Sequence, residues 1–363
     1  MRVALVHDYL MEMGGAERVV ECLLEIFPGA PLYTSAYDPA ACSPRFHEMN
    51  VRTTFVNRLT SRKTGTKALF PVLPFAFRSL DLRRFDVVLS SSSGFAHHVG
   101  TREDAVHVCY CHNPPRFLWQ TEEYFRGRSG LGHVLSPALA ALRRLDRQAA
   151  RQVDAYVAIS GTVAQRLRTT YGRAAEVIHP PIVVSRYRVS DERSGRFLVV
   201  SRLLPYKRID LAVETASRLG LPLDVVGEGP DRPRLESMAG NSVRFFGWQP
   251  DSHVRRAMAT CAALIVPGRE DFGLTPVEAQ ASGRPPVAFA AGGSLETIND
   301  GRTGFLFGEQ TCESLADALE RAQNIEIRAH DLRVAAARFD ISVFEGRLKD
   351  FVNEQLGRKR ASR

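Results

Sequence analysis

Short apolar runs, each followed by a polar or glycine-bearing loop and then by a segment of helical spacing, recur along the whole chain. Val3–His7 is the first, followed by the loop DYLMEMGG and a predicted helix from about Gly15 to Phe27. Within that helix Val19, Val20, Leu23, Leu24 and Phe27 fall on one face. The same order returns at Asp86–Ser90, Ala105–Cys111 and VDAYVAIS, then at RFLVVS, LDVVGEGP, VRFFGW, Ala262–Val266, PVAFAAGG and GFLF. Helices are expected over Pro137–Gln152, after a cap at Ser160 or Thr162, over Glu313–Ala322, and over about Ser342–Leu356, before a frayed basic tail. Alternating strands and helices can bury both faces of a sheet only if the strands run parallel. The fold class is therefore α/β, with ligands expected at the carboxyl ends of the strands. At 363 residues the chain is long enough for two such domains.

The loops at those strand ends carry the chemistry. Pro267–Glu278, reading PGREDFGLTPVE, joins a buried strand to a helix expected to begin near Pro276. Unpaired N–H groups and the positive end of a helix dipole make such a junction a seat for an anion. Glu270 and Glu278 flank it, and carboxylates accept hydrogen bonds from hydroxyls, so a polyol beside a phosphate suits the stretch. A solvated first-turn glutamate and a surface loop residue are the plainer alternative for these two. Arg202 and Lys207, on a strand-to-helix loop, have the makings of a phosphate clamp. Gly14-Gly15 permits close approach of backbone to a ligand, or simply a tight turn, and His112 stands at a strand's carboxyl end.

The net charge of +8 predicts an anionic partner: nucleic acid, acidic lipid or phosphorylated small molecules. From Arg52 to Arg84 eight Lys or Arg face a single acid, Asp81, and are interleaved with ALFPVLPFAF. That mixture suits either a solvated basic loop or contact with anionic lipid head groups. The six cysteines show no metal-ligand spacing, and Cys109 and Cys111 read as two residues on one strand face, reduced as in the cytosol. A strand opens the chain, so no signal peptide is expected, and no apolar run approaches the ~18 residues of a membrane-spanning helix.

Taken in order, GGAERV, CHNPPRFLW, SRLLPYKR, GEGP, EDFGLTPVE, AQASGRPPVAFAAGG and DGRTGFLF resemble the retaining glycosyltransferases of the GT-B type, family four. VHDYLMEMGGAERV and YCHNPPRFLW further resemble a bacterial branch that builds surface polysaccharides, many of whose members use GDP-mannose. The resemblance implies two Rossmann-like domains facing across a cleft. The acceptor domain would be 1–184 plus about 342–363, the nucleotide-sugar domain 195–341, and the linker 185–194. It also implies roles for residues. Glu270 would hold donor-sugar hydroxyls, and the backbone of Phe272, Gly273, Leu274 and Thr275 would contact sugar and phosphate. Glu278 would hold the ribose. Arg202 and Lys207 would neutralise the diphosphate, with Gly14 and Gly15 contributing backbone, and His112 would lie beside the transferred sugar. Phe246 and Gly247 fall where the family holds the base. Two prolines after Asn113 depart from many relatives around this histidine.

In that chemistry negative charge grows on a leaving diphosphate, and cations with helix N–H groups can stabilise it. No Asp-x-Asp pair ends a strand, so no metal or other cofactor is expected. A double displacement wants two carboxyl groups at the anomeric centre. Only Glu270 is available, which favours front-side attack. GDP-mannose is the first expected donor and a UDP-sugar such as UDP-glucose the second. The expected acceptor is a glycan or lipid-linked saccharide, and the expected location cytoplasmic, with possible contact to the inner membrane face. The rival from another class is a nucleic-acid-binding protein using the basic surface.

Overall fold

The computed structural model describes residues 1–60, 69–121 and 136–361. The chain divides into two compact units, one of Met1–His179 with Phe344–Arg363 and one of Pro180–Val343. Segment 185–194, expected as a linker, is instead tied into the second unit. Arg284 donates to the carbonyls of Ser190 and Glu192, and the Ser194 N–H donates to the Thr260 carbonyl.

The first unit is built on a seven-stranded sheet ordered β3-β2-β1-β4-β5-β6-β7. The strands are Val3–His7 (β1), Leu32–Thr34 (β2), Val51–Thr53 (β3), Val87–Ser92 (β4), Val106–Cys111 (β5), Ala155–Ala158 (β6) and Ala175–Val177 (β7). Every pairing is parallel. The order in which strands are added reverses between β1 and β4, and a doubly wound sheet opens a crevice at that point, at the carboxyl ends. Val19, Val20, Leu23 and Leu24 of the helix Gly15–Ile26 are buried, as their spacing predicts. Ser160 is the cap chosen for helix Gly161–Tyr171, its hydroxyl accepting from the Val163 N–H at 3.2 Å.

Most of ALFPVLPFAF is core rather than loop. Leu73–Arg78 is helical, with Leu73, Ala76 and Phe77 buried, leaving Phe75 exposed beside Arg78. Arg62, Lys63 and Lys67 lie outside the described residues. The last helix runs Ile341–Ala361, so the tail expected to fray is helical through Ala361. Phe344 meets Tyr110 edge-on at 5.6 Å, and Arg347 donates to Glu176 and to the Val177 carbonyl. Among the described residues no helix is long and apolar enough to cross a membrane.

The second unit carries a six-stranded sheet ordered β10-β9-β8-β11-β12-β13. Its strands are Phe197–Val200 (β8), Leu223–Val226 (β9), Val243–Gly247 (β10), Leu264–Val266 (β11), Pro286–Phe289 (β12) and Phe305–Phe307 (β13), all paired parallel. Its strand order reverses between β8 and β11. The Arg202–Lys207 loop leaves the first of these and the Pro267–Gly273 loop the second, so both clusters of candidate residues stand at the switch point.

Candidate active site

After β8 the chain makes a 3-10 turn, Pro205–Lys207, and enters helix Ile209–Leu219 through Arg208 at φ 55°. Left-handed backbone is strained for a side chain of this size and persists only where its surroundings enforce it. The Arg208 guanidinium donates to Asp210 at 3.3 Å and to Gln310 Oε1 at 3.0 Å, while Gln310 Nε2 donates to the Pro267 carbonyl at 2.8 Å. The β8 and β11 loops are thereby joined through Gln310. Neither Arg208 nor Gln310 stands out in the sequence, because a positive φ at a non-glycine leaves no compositional mark.

That turn delivers Lys207 to Glu270. The Lys207 ammonium lies 2.6 Å from each carboxylate oxygen. Glu270 is held in turn by its backbone, whose carbonyl accepts from the Gly293 N–H at 2.9 Å. Gly292 sits at φ 64°, and a Cβ there would lie 2.1 Å from the Glu270 carbonyl oxygen, so only glycine lets these loops meet. Arg202 is exposed, its guanidinium 3.5 Å from the Tyr206 hydroxyl. The Tyr206 ring also lies under the Lys207 ammonium at 5.3 Å. The two predicted cations thus share an aromatic neighbour, Tyr206, that carries no distinguishing mark in the sequence.

The following helix spans Leu274–Ala281, two residues earlier than its proline suggests. Gly273 precedes it at φ 86° and supplies no capping side chain. First-turn N–H groups lack intrahelical acceptors, and Gly273 brings no side-chain oxygen of its own to them, which suits the terminus to an anion. Phe272 is buried edge-on against Phe339 at 5.4 Å and orients the loop from beneath. Glu278, whose plainer alternative was a solvated glutamate, is only 4% exposed, and its Oε1 accepts from the Tyr187 hydroxyl at 2.8 Å. Tyr187 lies far away in sequence and gave no signal. On β10 the register shifts between Phe245 and Gly247, leaving Phe246 and Trp248 exposed beside buried Gly247.

In the first unit Gly14 and Gly15 begin the helix after β1, and the Gly14 N–H is taken up by Glu17 Oε2 at 2.9 Å. Asp8, at the end of β1, accepts from the backbone N–H groups of Ser93, Gly94, Phe95 and Ala96 at 2.6–2.8 Å and so fixes the loop after β4. His112 follows β5, 9% exposed, its Nε2 2.8 Å from the Ser91 hydroxyl. A cavity of about 580 Å³ lined by Arg2, Phe27, Pro31, Arg84 and Val352 lies at the other end of β1, away from these residues.

One buried cluster carries no spacing signal in the sequence. His97, His98 and Asp146 bring three ligand-type atoms within 4.8 Å of one another. Asp146 Oδ1 lies 3.1 Å from both imidazole Nε2 atoms, and Oδ2 accepts from Trp119 at 2.7 Å and Tyr171 at 2.6 Å. Burial disfavours the charged carboxylate, yet hydrogen bonds from the two histidines and their charge hold its pKa below the usual range. With both oxygens engaged by these donors, the cluster is accounted for as a core anchor tying the helix Ser136–Gln152 to the loop after β4.

Two family descriptions match, one to each part of the chain: Glycosyltransferase Family 4 over residues 13–186 and Glycosyl transferases group 1 over 186–339. Over 154 residues the chain is 37% identical to a protein named glycogen synthase from Pseudomonas aeruginosa, covering 39% of this chain and 30% of that protein. A glycogen synthase of Xanthomonas campestris is 36% identical over 137 residues, 28% of its length. The chain thus matches about a third of these relatives. Among solved structures, an Anabaena protein in complex with UDP-glucose (Alr3699/HepE) superposes with TM-score 0.73 at 18% identity, over 98% of this chain and 100% of that one. Sucrose-phosphate synthase from Thermosynechococcus elongatus gives 0.75 at 15% identity, over 98% and 100%. The chain therefore has the GT-B fold, with residues 13–186 similar to Glycosyltransferase Family 4 and residues 186–339 similar to Glycosyl transferases group 1.

Proposed function

We propose that this chain is a retaining glycosyltransferase that moves a hexose from a nucleotide sugar onto a glycan or lipid-linked saccharide. The observation that carries this reading is the Lys207–Glu270 pair at the switch point of the second sheet, beside the glycine-led helix start at Gly273–Leu274. Cations and helix amides at one place suit a leaving diphosphate, and a carboxylate beside them suits sugar hydroxyls.

In the proposed reaction the bond between the anomeric carbon and a phosphate oxygen breaks. Arg202, Lys207 and the N–H groups of Gly273, Leu274 and Thr275 offset the charge that develops on the diphosphate. Glu270 holds hydroxyls of the donor sugar, steadied by Lys207, and Glu278 with Tyr187 lies beside the ribose. Phe246 and Gly247 border the base. His112, with Gly14 and Gly15, belongs to the first unit, and the family resemblance assigns it to the transferred sugar. A carboxylate held by an ammonium at 2.6 Å is a poorer nucleophile than a free one, which supports front-side attack over a glycosyl-enzyme on Glu270. Trapping such an intermediate overturns that step.

The amino-terminal motifs favour GDP-mannose as donor. UDP-glucose is the second reading, supported by the Anabaena structure's ligand and by the glycogen synthase relatives. Thermal shift with GDP-mannose, UDP-glucose, GDP and UDP separates them, because the better ligand raises the melting temperature more. A panel that shifts nothing, with no sugar transfer to any acceptor, sinks the proposal. Exposed Phe55, Leu59 and Phe75 beside Arg52, Arg58 and Arg78 support a lipid-facing role for the basic stretch. Flotation with anionic liposomes tests it, and a gel shift at moderate salt tests the nucleic-acid alternative.

A further inference from the structure

Behind His112 the first unit holds a buried polar line that the proposed transfer chemistry leaves unused. Parallel register sets His7 of β1 opposite Ser91 of β4, and Ser91 opposite Tyr110 of β5, so that His112 follows two residues later. His7 Nδ1 lies 3.1 Å from the Ser91 carbonyl and 3.2 Å from its hydroxyl, and that hydroxyl lies 2.8 Å from His112 Nε2. At the other end His7 Nε2 is 3.5 Å from Glu17 Oε1, an ion-pair distance, while Glu17 Oε2 takes the Gly14 N–H. Glu17, His7 and Ser91 are all buried.

We propose that Glu17, His7 and Ser91 form a positioning line that fixes His112 as a neutral imidazole carrying its proton on Nδ1. The argument runs through the single proton of the Ser91 hydroxyl. The groups facing His7 are the Glu17 carboxylate from the first helix, Asp8 from the end of its own strand, the Ser91 carbonyl and hydroxyl from β4, and His112 beyond that hydroxyl. Burial pulls the His7 pKa down. The hydrogen bond and charge of Glu17, the charge of Asp8 and the Ser91 carbonyl outweigh it, so the ring stays protonated above its ordinary range. An imidazolium carries a proton on both nitrogens, so Nε2–H faces the Glu17 carboxylate at ion-pair distance while Nδ1–H donates to Ser91. With that donor against one lone pair, the Ser91 hydroxyl finds an acceptor for its own proton in His112 Nε2, which leaves the His112 proton on Nδ1; an N–H at Nε2 would instead leave the buried hydroxyl proton between two donors.

The functional consequence rests on the glycosyltransferase reading of His112; the tautomer does not. Nitrogen-15 histidine spectra of the full chain test it directly, with the His112 signals assigned by their loss in His112→Gln. The expected wild-type pattern is a protonated Nδ1 and an unprotonated Nε2 at neutral pH. In Ser91→Ala that pattern collapses toward a mixture of tautomers, and in Glu17→Gln it persists only at lower pH, because His7 then loses its proton earlier. A wild-type His112 protonated on Nε2, or His112 signals that do not move in either variant, overturns the proposal. Should Ser91→Ala fail to fold, Glu17→Gln alone decides it. If the chain is also the transferase proposed, Ser91→Ala lowers kcat about 10–100-fold while the donor KM stays within about twofold, as loss of a supporting partner does. Spectra that behave as stated in a chain inactive on every donor leave the tautomer standing and remove the transferase reading.

Discussion

Lys207 Nζ lies 2.6 Å from both carboxylate oxygens of Glu270, in a contact where each side chain is less than one-fifth exposed. Two partly buried charges this close sustain one another, so removing one leaves the other without its counter-charge. Lys207→Met is expected to lower turnover about 10²–10³-fold, the usual loss for one group aimed at developing charge. Glu270→Ala should cost at least about 100-fold by loosening the sugar's position. Initial rates on the donor identified by thermal shift check both, and an effect within about threefold places the pair outside the active site.

The same pair makes a prediction about stability with the opposite pattern. Lys207→Met should melt lower than the double variant Lys207→Met/Glu270→Gln, since the second change removes the orphaned charge left by the first. Melting curves of the two singles and the double close the cycle. Additive losses would mean the ion pair is uncoupled and its geometry carries no energy.

Transfer is expected to proceed unchanged in excess chelator, because Arg202, Lys207 and the helix start at Leu274 supply the charge that a divalent ion would otherwise bring. Loss of activity in chelator, restored by Mg²⁺ or Mn²⁺, refutes this.

Tyr187→Phe deletes the hydroxyl donated to buried Glu278 and should cost about 1–3 kcal/mol. For a unit of this size that lowers the melting temperature by about 2–4 °C per kcal/mol. If Glu278 serves the ribose, the donor KM rises as well. A variant that melts and binds like the parent means the hydroxyl is replaced by solvent and Glu278 needs no partner.

The central strands of the two parallel sheets were legible in the sequence because each is an apolar run ended by a loop; the three-residue strands Leu32–Thr34, Val51–Thr53 and Ala175–Val177 were not, being too short and, as VRT and AEV, too polar to mark themselves. The loops bearing Arg202, Lys207, Glu270 and His112 could be placed for the same reason: strand ends are visible. Partnerships were not legible. Tyr187 meets Glu278, Gln310 joins two loops and Ser91 bridges two histidines through distances in sequence that no periodicity reports. The 185–194 segment reads as a linker because it is polar and charged. Its carbonyls are nonetheless held by the buried guanidinium of Arg284, a residue that looks like ordinary loop decoration in SGRPP.

Acid sensitivity should centre on the first unit. His107, on β5, is buried against Ser90, and burial first, then the charges of His97 and Lys359, push its pKa down to about 3. His98 is driven the same way, to about 4, by burial in spite of Asp146. A histidine depressed in the fold gives stability that is complete above its unfolded pKa of ~6.5 and is lost as pH falls toward the folded value, because only the unfolded chain takes up the proton. His97 works in reverse: its pKa is raised, burial being outweighed by the Asp146 hydrogen bond and charge, so its contribution is present in acid and is lost as pH rises through the folded pKa. Over the two pH units below ~6.5, His107 alone accounts for roughly 3 kcal/mol, at ~1.4 kcal/mol per unit. Melting followed from pH 7 to pH 4.5 should therefore fall less steeply in His107→Gln, which keeps an acceptor for the Ser90 hydroxyl but cannot take up a proton. Parallel curves for the variant and the parent would mean that His107 is protonated in the native chain, with Ser90 accepting rather than donating.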